Sequence, residues 1–377
     1  MFQLADFIHQ SPSKLVQFLH EEAQQQGQKQ DPIMLWLDVD GWPKPKFLHF
    51  ASDLIFAGPS ETGLVYEIGL QEAEAIATDF YLNLRMAAAL ALRVQRFAEA
   101  HGMNVDRAIE DWAFWEAGYS GLSNMDDREL GMIRSRIQTL RILYNAGREV
   151  LKAQEGKRRG AGRIRVHESV LSMAPRPPEE MGIRWGAGET PNGWDAKRLR
   201  VDAPRPGSFV THLAAWLALP PNEIVERIAR VAEEASPAGC AVLGLDAPDT
   251  PKDPRGALIF ERGSIFLAFI VGETIAHNPV VEASKEKAAE LIAERKLFLR
   301  RAAVYAALVG AKAKRRHNAE DWIRLDAMAT FGFAKGEGVP DEAWVAIEEK
   351  KSELFELYET GLFVLEACQR QPDPRQG

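Results

Sequence analysis

The hydrophobic and polar pattern of the chain runs twice through one series of elements. A helix opens behind Ser11-Pro12 in the first half and behind Pro220-Pro221-Asn222 in the second, with proline suited to a first helical turn. Short apolar runs then predict three strands in each half. In the first they are IMLWLDV (33–39), KFLHFASDLIFAG (46–58, bent) and GLVYEIG (63–69). In the second they are GCAVLGL (239–245), GALIFE (256–261) and SIFLAFIVG (264–272), the last two joined by Arg262-Gly263. A long helix follows, over 71–100 and again over 281–314; about 30 residues at 1.5 Å each span roughly 45 Å. Its Ala-rich stretches, RMAAALALRV and RRAAVYAALVGA, favour helix and allow neighbours to approach closely. Two shorter helices end each half, 104–117 with 127–153 and 318–330 with 341–368.

The two series also match residue by residue. Leu4, Phe7, Pro12 and Val16 stand 209 positions before Leu213, Trp216, Pro221 and Val225. Leu37, Asp38, Pro43 and Lys44 precede Leu245, Asp246, Pro251 and Lys252 by 208, and AIEDW (108–112) precedes NAEDW (318–322) by 210. LRILYNAG (140–147) and LFELYETG (354–361) lie 214 apart. A near-constant offset with the order kept predicts tandem duplication of a whole domain. The expected fold is α+β and helix-rich: a domain with a small antiparallel sheet backed by long helices, present twice. The lobes are expected over 1–154 and 211–369, with an Arg/Pro/Gly-rich linker over 155–210 and a polar tail over 370–377. A pseudo-two-fold arrangement of the lobes, or a homo-oligomer through the long helices, would suit such a duplication. In the EDW triplets the carboxylates are expected near helix N-termini, where the dipole favours them, with Trp112 and Trp322 packed inward and superposed.

Composition narrows the functional classes. A net charge of −8 argues against wholesale coating of nucleic acid or anionic membrane. The charge is unevenly spread: 155–205 holds 11 Lys/Arg against 7 Asp/Glu, a net of +4 that leaves −12 for the rest. Two distant cysteines, Cys240 and Cys368, form no CxxC or Cys/His cluster, so neither a disulfide framework nor a zinc site is expected and a cytoplasmic setting is the default. The start MFQLADFIHQSPSK lacks the charge and apolar pattern of a signal peptide. No apolar run approaches the roughly 18 residues of a membrane span, so no membrane partner is expected.

Candidate chemistry is sparse. Asp38 and Asp40 share one strand face, a spacing that can hold Mg²⁺ in a nuclease or hydrolase, yet the strand–turn reading of Asp40-Gly41 accounts for them as well. Arg96 and His101 have the R-x4-H spacing of HEPN-class ribonucleases, but the polar residue usual after the Arg is Phe97 here and the second half has no equivalent. No Walker loop, nucleophile elbow or HExxH occurs. Basic arrays remain: Lys157, Arg158, Arg159, Arg163 and Arg165 in the linker, Lys314, Arg315 and Arg316 after the second long helix, and Arg134, Arg141 and Arg148 every seven residues along helix 127–153. These can neutralise phosphates, with Trp185 and Trp194 available for base stacking. The reading placed first is a non-enzymatic interaction or assembly protein, a complex subunit with a protein partner and no cofactor. The alternatives are binding of DNA or RNA through the basic arrays, and a metal-dependent nuclease or hydrolase.

Overall fold

A computed structural model describes residues 2–3, 11–26, 32–37, 46–58, 64–121, 125–155, 164, 166, 170, 173–186, 209–234, 240–246, 255–271, 274–313, 318–334 and 339–369. The first half runs β1 (Phe2–Gln3), α1 (Pro12–Gln26), β2 (Ile33–Leu37), β3 (Lys46–Ala51), β4 (Leu54–Gly58), β5 (Tyr66–Ile68), α2 (Leu70–His101), α3 (Val105–Glu116) and α4 (Asp127–Glu155). The second runs β6 (Phe209–His212), α5 (Pro221–Glu234), β7 (Ala241–Gly244), β8 (Arg255–Glu261), β9 (Ser264–Val271), β10 (Thr274–Ala283), α6 (Lys285–Ala313), α7 (Ala319–Thr330) and α8 (Asp341–Gln369). The fold is α+β and helix-rich, with two small sheets.

Each sheet lists its strands in chain order, β1 to β5 and β6 to β10. The first pair is parallel in both, and every later pair is antiparallel. Parallel neighbours need a crossover, and α1 and α5 supply it. Registers agree as well: Leu35 faces Leu48 in one sheet and Leu243 faces Leu258 in the other. Three strands per half was too few. The stretch 46–58 is a hairpin turned at Ser52 (φ 55°), not one bent strand. In the second half β10 occupies 274–283, so the long helix begins at Lys285 and not at 281. The predicted turn at Arg262-Gly263 is present; φ of 52° and 83° is the left-handed pair that suits a two-residue hairpin.

Alternation along the strands sends Leu35, Leu37, Leu48, Phe50 and Ile55 to a buried face. In the second half Leu243, Leu258, Phe260 and Ile265 pack with Ile224, Val225 and Ile228 of α5 and with Leu299 and Ala303 of α6. The chain divides into two compact units, both drawn from non-contiguous segments. Unit 1 holds 1–110, 137–174 and 320–354; unit 2 holds 111–136, 175–319 and 355–377. Each sheet and its long helix are therefore grouped with helical segments from the other half. Described linker residues are also absorbed into these cores, with Ile164, Val170 and Met173 buried in unit 1 and Ile183 in unit 2. Of the described helices, α2 alone is long and apolar enough to cross a membrane by composition, with a mean hydropathy of 1.2 over 18 residues; 56% of that window is buried inside the protein, as befits a core helix.

Close helix approach, expected from the Ala-rich runs, is made by glycines facing them. A Cβ on Gly147 of α4 would lie 2.1 Å from the Ala87 carbonyl oxygen, and one on Gly361 of α8 would lie 2.0 Å from that of Ala302. Gly131, also on α4, would meet nothing within 4 Å. Gly131→Ala should therefore stabilise by about 0.5–1 kcal/mol through the helical backbone. Gly147→Ala and Gly361→Ala should destabilise by about 1–3 kcal/mol or more, because the carbonyl they strike belongs to a neighbouring helix. Urea midpoints read the sign, and equal midpoints for the two α4 variants would refute the close contact.

The EDW match needs a correction. Helices α3 and α7 begin at 105 and 319, 214 apart, whereas the triplets are 210 apart. EDW thus sits in the second and third turns of α3 but in the first turn of α7, and Trp112 corresponds in helix position to Asp326 rather than to Trp322. A four-residue shift is one helical turn, about 40° from exact, so both indoles keep the inward face. They are 7% and 6% exposed.

Candidate functional site

The most concentrated buried charge lies in unit 2 and starts from a helix cap. Asp126 Oδ1 accepts the backbone N–H groups of Arg128 and Glu129 at 3.0 Å, and Glu129 Oε2 accepts the Asp126 N–H at 3.2 Å. This is a capping box at the start of α4. The other oxygen of the same carboxylate, Glu129 Oε1, accepts from the Tyr119 hydroxyl at 2.5 Å and pairs with Lys296 Nζ at 2.9 Å. Lys296 also donates to the Leu219 carbonyl at 2.7 Å. One turn along α6, Arg300 donates to the carbonyls of Leu217, at 2.8 Å, and Gly118. Its guanidinium lies over the rings of Tyr119 and Trp185, 3.7 and 4.3 Å from their centroids.

Burial sets the electrostatics. Desolvation pulls the Lys296 and Arg300 pKa values down, with Glu129 opposing, and pushes that of Tyr119 up. The Cys368 thiol is pushed up to about 11 by burial, against a backbone hydrogen bond from Gly186 and the nearby Arg300. Lys296 and Glu129 are both 0% exposed, so the charged atoms meet protein and nothing else. Such a network holds helices in register; it offers no open position for a substrate.

Unit 1 solves the same place differently. Arg85 of α2 donates to Phe331 O at 2.9 Å and Gly332 O at 2.6 Å, and lies 3.9 Å from the Phe333 ring. One turn before it stands Tyr81, where α6 has Lys296. Phe333 follows the turn glycine as Tyr119 does, and Ala343 occupies the third position of α8 as Glu129 does in α4. One half carries the ionic triad and the other tyrosine, phenylalanine and alanine.

Among the described residues, those singled out from the sequence are not brought together. Arg134 and Arg148 are exposed on α4, but Arg141 between them pairs with Glu110 at 2.9 Å and Asp106 at 3.7 Å. Trp185 stacks on Arg300 and lies against Gly118, so it is not a free platform for bases. Asp38, Asp40, Lys157, Arg158, Arg159, Arg163, Arg165, Trp194, Lys314, Arg315 and Arg316 lie outside the described residues. Asp246, the second-half match of Asp38, accepts the Gly256 N–H at 2.7 Å and pairs with Arg295, a structural use of the carboxylate. His101 Nδ1 lies 3.0 Å from Phe97 O at the end of α2, and Arg96 pairs with Glu99, so the R-x4-H pair is committed locally. Among the described residues no group of three or more His, Cys, Asp or Glu is placed to hold a metal.

Two open grooves in unit 2 hold mixed charge. One of about 790 Å³ is lined by Trp216, Asn222, Glu223, Arg227 and Arg230, and its Arg227 pairs with Glu223 at 2.6 Å. One of about 660 Å³ is lined by Arg128, Ser284, Glu286, Lys287 and Glu290, and its Lys287 pairs with Glu290 at 2.8 Å. Arg227, Arg128 and Lys287 are paired with neighbouring acids, and no constellation of nucleophile and base converges in either groove. Sequence reasoning passed over Arg85 and Arg300, although each opens an Ala-rich stretch and the two stand 215 positions apart. No family model, curated protein or solved structure matches the chain.

Proposed function

We propose that this chain is a non-enzymatic interaction protein that works as a subunit of a larger complex. The observation that carries the reading is a run of exposed apolar side chains leading into β5, at the edge of the first sheet. Leu64 is 66% exposed, Val65 52% and Tyr66 43%. Three consecutive large apolar residues in water are costly unless a partner covers them. An exposed acid, Glu67, follows them on the same strand. The partner that fits is a second protein presenting an apolar segment edged with basic side chains. The buried ionic network supports the same reading, since its charges are consumed in tying helices together.

The test is affinity capture from the native host with the intact chain and with Val65→Lys/Tyr66→Lys. A defined protein retained by the first and lost at least tenfold by the second is expected, at unchanged melting temperature. Equal recovery by both would remove β5 from the interface. A second reading, binding of DNA or RNA, draws on Arg134 and Arg148, exposed two turns either side of Arg141. Its signature is affinity falling steeply with salt and a slope flattened in Arg134→Ala/Arg148→Ala. A chain free of 260 nm absorbance that binds neither polymer at low salt would end it.

A further inference from the structure

We infer that the two halves of the chain are obligate complements, each long helix carrying a surface whose ligand is the glycine turn of the other half. Unit 1 contains α2 and also 320–354; unit 2 contains α6 and also 111–136. The imported piece is the end of α3 in unit 2 and nearly all of α7 in unit 1, each with its αL glycine and the start of the next helix.

The two turns share one geometry. Gly118 (φ 75°) donates to Trp115 O and Tyr119 N–H to Phe114 O; Gly332 (φ 66°) donates to Ala329 O and Phe333 N–H to Met328 O. This is the Schellman closure, which leaves carbonyls at the negative end of the helix facing outward. Arg85 takes the carbonyls of Phe331 and Gly332, and Arg300 takes that of Gly118. Each guanidinium also lies against the aromatic residue after the glycine, Phe333 or Tyr119. A planar fork that donates at its edge and stacks on its face suits this pair of partners better than a lysine would.

A second contact closes each unit. Ser11, before α1, donates to Glu342 Oε1 at 2.5 Å in unit 1; Arg128 donates to Asn222 Oδ1, in the first turn of α5, at 3.1 Å in unit 2. Glu342 and Arg128 both hold the second position of the imported helix, in α8 and α4. Different side chains thus join the second position of the imported helix to the start of the crossover helix in both units. The recognised partner is a helix end with an αL glycine followed by an aromatic residue, supplied by the other half.

The experiment cuts the intact, folded chain at a protease site inserted between residues 195 and 196. The two pieces are expected to co-elute at the volume of the uncut protein and to keep its helical ellipticity on dilution. In Arg85→Met/Arg300→Met the cut pieces should part at protein concentrations at least tenfold higher than the wild-type pieces do. Wild-type pieces that separate on cutting without denaturant, folded or not, overturn the inference. If the wild-type pieces hold and the arginine variant holds equally well, the halves are complements but the arginines are not what reads the turn.

Discussion

Lys296→Met is expected to destabilise the protein by about 3–5 kcal/mol, and so is Glu129→Gln, because either leaves a buried charge without its partner. Both groups are 0% exposed, so water cannot replace the lost ion. Glu129→Gln keeps the side-chain shape and its acceptor oxygen for the capping hydrogen bond, which isolates the charge from the cap. The double variant Lys296→Met/Glu129→Gln should recover most of the loss, since removing both charges also removes the desolvation they cost. Unit 1 supports that expectation: with Tyr81, Phe333 and Ala343 in the corresponding places, its arginine turn forms without the ion pair. Guanidinium midpoints of the four proteins complete the cycle. A double variant as unstable as the sum of the singles would mean that the two charges act independently and that no coupling energy joins them.

The second large effect is at the tryptophans. Trp112→Ala and Trp322→Ala should each cost on the order of 3–5 kcal/mol, the range for emptying a large aromatic site in a close-packed interior. Both side chains are more than nine-tenths buried. They sit at helix positions one turn apart, so the two cavities have different walls and the two costs need not agree. Denaturant midpoints measure each; near-wild-type midpoints in both would make the indoles surface features.

What was legible in the sequence follows from what periodicity can report. The long helices, the paired short helices and the inward tryptophans are local patterns, and their limits came within a few residues. The shared order of elements and ladder registers accords with the repeated sequence, and internal duplication remains our proposal for its origin. Beyond β10 and the β3–β4 hairpin, two features were not legible. The parallel strands β1 and β6 are two and four residues long, too short for a pattern of their own and paired only across a crossover helix. The grouping of each long helix with the other half's turn depends on contacts between residues more than 180 positions apart, such as Arg300 with Gly118. Glu129 shows the same limit at one residue. Its place three residues after Asp126 marks a capping box, but nothing local says that its second oxygen meets Lys296. In the basic stripe, spacing reports a shared face and not its neighbours: Arg141 faces Glu110 and Asp106, which pair with it.

We propose that buried charge in this protein is structural and that function resides on its apolar edge. The decisive comparison is partner capture by Lys296→Met/Glu129→Gln beside capture by Val65→Lys/Tyr66→Lys, both as folded protein. The core variant is expected to retain the partner at wild-type level and the edge variant to lose it. Retention by the edge variant with loss by the folded core variant would contradict this proposal, and would move the functional site to Lys296, Glu129 and Tyr119.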